Sequence, residues 1–111
     1  MKRDPLTFLW DVKQASQAIT TFTAEKTFED YSSDLMLRSA VERQFEIIGE
    51  ALNQLHKLSP ETTEQIPNVR DIVDFRNLLI HGYASINHKI VWKAIHQSLP
   101  ALNQAIDNLS Q

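Results

Sequence analysis

The sequence predicts an all-α protein, an up-and-down helical bundle of four main helices plus a short one, and three observations point there. Only two glycines and four prolines interrupt 111 residues. Long stretches carry apolar residues at spacings of three and four rather than in strict alternation, the mark of helices rather than strands. Cap-forming residues stand in front of several of these stretches.

Asp4-Pro5 is a helix start, a cap followed by proline at the first helical position, where its missing N–H costs nothing. Phe8, Val12, Ala15, Ile19 and Phe22 then form one apolar stripe on a helix that fades near Ala24. Thr27-Phe28-Glu29-Asp30 has the spacing of a capping box and opens a short turn. From Asp34 to about Leu58 a long helix turns Leu37, Val41, Ile48, Leu52 and Leu55 to the core. Ser59-Pro60 caps a short helix, and Pro67 separates it from a fourth segment running from Asn68 to His81. Gly82 is placed to end that helix. Asn87 caps a last helix carrying Val91, Ile95, Leu99, Leu102 and Ile106, which Pro100 should kink or split.

The length suits one domain over residues 1–111, with no internal repeat or flexible linker. Hydrophobic residues at 42% and charged residues at 23% exclude an intrinsically disordered chain. No cysteine is present, which removes disulfides, zinc knuckles and thiol nucleophiles and fits a reducing compartment. Acid and proline occupy the N-terminus where a signal peptide needs an apolar run, and no membrane-spanning apolar stretch exists, so a soluble cytoplasmic protein without membrane partners is expected. The net charge of −3 argues against holding nucleic acid by bulk electrostatics. Any RNA contact must be local, such as a few arginines gripping one phosphate.

The segment from Arg70 to Tyr83 is the informative one. Arg76 shares a helical sector with Val69, Ile72, Val73, Leu79 and Ile80, the middle of an apolar stripe. A guanidinium there requires an anionic partner: a carboxylate of the long helix, a subunit contact or a ligand phosphate. His81 falls on the polar face, one turn beyond Asn77, whose amide can fix the imidazole tautomer. Arg76 and His81 are about 140° apart on an ideal helix, so one chain makes a poor site. Two copies meeting across a two-fold axis would each give an arginine and a histidine to one cleft. On the long helix, Arg38, Glu42, Glu46, Gly49 and Glu50 share a face set against the apolar stripe. Gly49 costs roughly 1 kcal/mol relative to alanine, understandable if another helix approaches closely, and a dimer interface is the expected place. The successive glutamates repel one another unless Arg38, Arg43 or Arg76 relieves them. His56, His88 and His96 have no metal-ligand spacing, so no metal is expected. Trp10 and Trp92 are expected at the core rim or an interface.

Arg76-Asn77-Leu78-Leu79-Ile80-His81-Gly82-Tyr83 resembles the R-x4-6-H-x-Y motif of HEPN domains in the HepT toxins, with four residues intervening, and Arg43 to Ala51 is similar to that family's long-helix signature around I-G-E-A. The resemblance implies a HEPN-like homodimer, the toxin of a type VII toxin–antitoxin system, acting as a metal-independent endoribonuclease with no cofactor of its own. Arg76 and His81 would be catalytic, with Asn77 and Glu46 in support. An MntA-like minimal nucleotidyltransferase antitoxin would use ATP to adenylylate Tyr83. The alternative is a non-catalytic helical module that binds nucleotide or partner for a nucleotidyltransferase.

Overall fold

The computed structural model describes residues 4–82 and 86–109, and all regular structure among them is helical. Helix α1 (Pro5–Thr23) starts where Asp4, in extended conformation, accepts the Leu6 N–H at 2.8 Å. Helix α2 (Phe28–Ser33) opens on the predicted capping box: Thr27 Oγ1 accepts from the Asp30 N–H at 3.1 Å while Asp30 Oδ2 accepts from the Thr27 N–H at 2.9 Å. The Thr27 backbone bond, followed by its side-chain bond, holds the Asp30 carboxyl below its ordinary value. Helix α3 (Leu35–Leu58) begins with Asp34 accepting from Leu37 N–H at 3.1 Å.

The short α4 (Pro60–Thr63) follows Ser59, whose hydroxyl bonds the Glu61 carboxylate and the Thr62 hydroxyl rather than a helix N–H. Asn68, left-handed at φ 63°, turns the chain into α5 (Val69–His81). Gly82 ends α5 without entering the left-handed region, its N–H donating to Leu78 O at 2.7 Å. Helices α6 (His88–His96) and α7 (Ser98–Leu109) are the predicted last helix divided in two, with Asn87 capping through Lys89 N–H at 2.8 Å. The break falls at Gln97. Pro100 explains it, lacking an N–H for the His96 carbonyl and crowding that carbonyl with its ring.

Helix α3 is the spine, packing most extensively on α1 and next on α5. Its predicted core residues Leu37, Val41, Ile48, Leu52 and Leu55 are all buried, joined by Phe45, which stacks edge-on against Phe75 at 5.3 Å. On α1 the stripe holds from Phe8 to Ile19 but ends on Thr23 instead of Phe22. The drift of 3.6 residues per turn carries position 23 inward, and Thr23 is accommodated there because its hydroxyl donates to Ile19 O at 2.8 Å. Trp10 is exposed, whereas Trp92 packs in an aromatic cluster with Tyr31, Phe28 and His96. No helix among the described residues is long and apolar enough to cross a membrane.

Candidate functional site

Between α1, α3 and α5 lies a groove of about 700 Å³. Its walls mix apolar side chains with three cations, Arg43, Lys57 and Arg76, and three carboxylates, Asp11, Glu46 and Glu50. Arg76 enters it from α5 and its guanidinium is held from two sides. One terminal nitrogen donates to Glu50 Oε2 at 2.7 Å, and the other to Asn77 Oδ1 at 2.8 Å. The Nε–H is buried and has no partner among the described residues. A guanidinium carries five donors, so one N–H on each terminal nitrogen is left for a ligand.

Gly49 makes this possible. A Cβ there would collide with Arg76 Cβ and lie 2.7 Å from Arg76 Cγ, so the bare backbone of α3 is the surface over which the arginine stem passes. The close approach expected at a dimer interface is therefore made inside one chain, against α5. Helix α3 is covered by helices on two sides, and Gly49 faces the second of them rather than a free surface. Among the three options for the anionic partner of Arg76, the structure contains the carboxylate of the long helix, Glu50.

The other residues singled out in the sequence are distributed unevenly. Asn77 is exposed and its amide oxygen is engaged by Arg76 rather than by the imidazole. Glu46 lines the groove but pairs with Arg43 at 3.3 Å. His81 is exposed as the last residue of α5 and is not part of the groove wall. Tyr83 lies outside the described residues. Glu50, expected only as one of the glutamates on that face that a cation such as Arg76 relieves, is the site residue that the sequence does not separate from its neighbours. Its place beside Gly49 was a signal, but Glu46 lies on the same helical face and only the register of α5 on α3 separates the two.

Further along α3, burial raises the Glu42 carboxyl above its ordinary value, with His88 and Arg38 pulling it down and Glu46 adding to the rise. Tyr31, fully buried beside it, is raised in turn by burial and by Glu42. Among the described residues no cluster of three or more potential ligands could hold a metal ion.

A family model described as Ribonuclease HepT-like matches residues 12–109. The chain belongs to the HepT-like ribonuclease family. Of its HepT-like relatives, a Methanocaldococcus jannaschii protein provisionally named as an RNase is 32% identical over 108 residues, 96% of each chain. A Thermococcus cleftensis protein provisionally named ribonuclease HepT is 35% identical over 113 residues, 98% of each. A third, from Caldanaerobacter subterraneus and also provisionally named as an RNase, is 30% identical over 98% of this chain and 96% of its own. No solved structure matches significantly.

Proposed function

We propose that this chain is the toxin of a type VII toxin–antitoxin system, a metal-independent endoribonuclease that works as a cytoplasmic homodimer. The observation that carries the reading is Arg76. In a chain of a ribonuclease family, an arginine clamped in an open groove with one free N–H on each terminal nitrogen is built to take two oxygens of a phosphate.

Arg76 binds the scissile phosphate and stabilises the negative charge that builds on its oxygens as the ribose 2′-oxygen attacks. The P–O5′ bond breaks, leaving a 2′,3′-cyclic phosphate on one product and a 5′-hydroxyl on the other. His81 handles the proton, taking it from the 2′-hydroxyl or giving one to the 5′-oxygen. Because Arg76 points into the groove while His81 stands exposed at the helix end, the two work across a two-fold axis, each copy giving an arginine and a histidine to one shared cleft. Leu78 and Ile80, both more than a third exposed on α5 beside these residues, support α5 as the helix that meets its copy.

Asn77 steadies the guanidinium, and Glu46 with Arg43 shapes the groove wall. Regulation falls to a minimal nucleotidyltransferase antitoxin. It transfers AMP from ATP to the Tyr83 hydroxyl, forming a phosphodiester with loss of pyrophosphate and the phenolic proton. Two residues from His81, the added anion repels incoming RNA.

Growth tests this. Expressed alone, the wild type should arrest growth and His81→Ala should not, at equal protein levels. Coexpression with the antitoxin should restore growth and leave an AMP adduct on Tyr83 by intact mass. A folded, unmodified wild type that leaves growth untouched would overturn the reading in favour of a nucleotidyltransferase-binding module.

A further inference from the structure

Arg76 is fixed by a chain of contacts from α3 that the phosphate-binding role alone does not require. Glu50 Oε2 accepts from the guanidinium at 2.7 Å, and its other oxygen, Oε1, accepts from Gln54 Nε2 at 3.0 Å, one turn further along the same helix. Gly49, adjacent in sequence, removes the side chain that would push the arginine stem away. Three residues within two turns of α3 thus constrain where one guanidinium lies.

Stability does not explain the arrangement. The Arg76 and Glu50 side chains are 25% and 46% exposed, so solvent screens the pair and its contribution to folding is small. A carboxylate beside a phosphate-binding arginine also works against binding, because it offsets the charge that attracts the phosphate. What it supplies is direction. A guanidinium held at both terminal nitrogens keeps its plane and its place in the groove, and no rotamer search is needed when the substrate arrives.

We propose that Glu50, braced by Gln54, is a positioning residue that aims the Arg76 guanidinium into the groove, at a cost in affinity for RNA. This rests on the ribonuclease reading. Substitution separates the two effects. Gln at position 50 keeps an oxygen for Arg76 while its amide N–H₂ can meet Gln54 after that amide flips, so aim is kept and charge is lost. Ala loses both.

The experiment combines cleavage kinetics with side-chain NMR of the full-length protein. Glu50→Gln should hold kcat within a few-fold of wild type and lower KM. Glu50→Ala, with unchanged helical circular dichroism, should lower kcat by roughly 10²-fold. In the arginine 15N–1H spectrum, the Arg76 terminal N–H signals, identified by their loss in Arg76→Lys, should be resolved in wild type and Glu50→Gln and averaged in Glu50→Ala. Undiminished kcat in Glu50→Ala overturns the proposal. So do averaged Arg76 signals in the wild type, whether or not RNA is cut. Resolved signals in a wild type that cuts no RNA would remove the ribonuclease reading while upholding the restraint.

Discussion

Tyr31 brings its hydroxyl into the core, where burial and the nearby Glu42 raise it, and its Oη has no hydrogen-bond partner among the described residues. Its ring contributes more, meeting Trp92 at 5.3 Å and the edge of His88 at 6.3 Å to dock α2 on α6. Removing a hydroxyl that is not hydrogen-bonded leaves no orphaned partner behind. Tyr31→Phe should therefore keep or raise the stability, measured by urea unfolding, and a loss beyond about 1 kcal/mol would show that the hydroxyl is satisfied after all. Single residues divided sharply in how far the sequence disclosed them. Arg76 announced itself as a charge in an apolar sector, and the need for an anionic partner followed from physics. That the partner is Glu50 rather than Glu46 did not follow, because both lie on the same helical face and only the register of α5 on α3 separates them.

At the scale of elements, the crossing of α3 and α5 decides the site. Gly49 gives up helix propensity, about 1 kcal/mol relative to alanine, so that the two backbones can approach. Gly49→Ala regains that propensity but drives a methyl group into the Arg76 stem. Overpacking of this kind costs about 1–3 kcal/mol, so the variant should lose net stability and also misplace the guanidinium. A thermal melt checks the first and RNA cleavage the second; a variant more stable than wild type and equally active would contradict the packing described here. Most elements could be read from the sequence because their signals are local: a cap at Asp4, a capping box at Thr27, a cap at Asn87 and a proline at position 100 that divides the last helix. The glycine was read correctly as a point of close approach, but its partner was assigned to a second chain. Helical periodicity says that a face is covered and not by what.

For the whole molecule, the net charge of −3 disfavours holding RNA by bulk attraction, and in the groove three cations are matched by three carboxylates. Recognition must then come from a few directed contacts, and catalysis from their geometry. Within one chain the fold holds Arg76 in the groove between Glu50 and Asn77 and sets His81 outside it on an exposed helix end. Sequence spacing had separated the two residues by about 140°, and the helix keeps them apart, so the active unit is expected to be a pair of chains. Under the proposed function this pair of chains cuts RNA through Arg76 and His81 without a metal. The most direct test is to incubate purified wild type and His81→Ala with an RNA oligonucleotide in EDTA and to identify the product ends. Wild type should leave 2′,3′-cyclic phosphates and spare the matching DNA, with His81→Ala slower by about 10²–10⁴-fold at unchanged helicity. No cleavage by folded, unmodified wild type, or equal cleavage by both proteins, would contradict it.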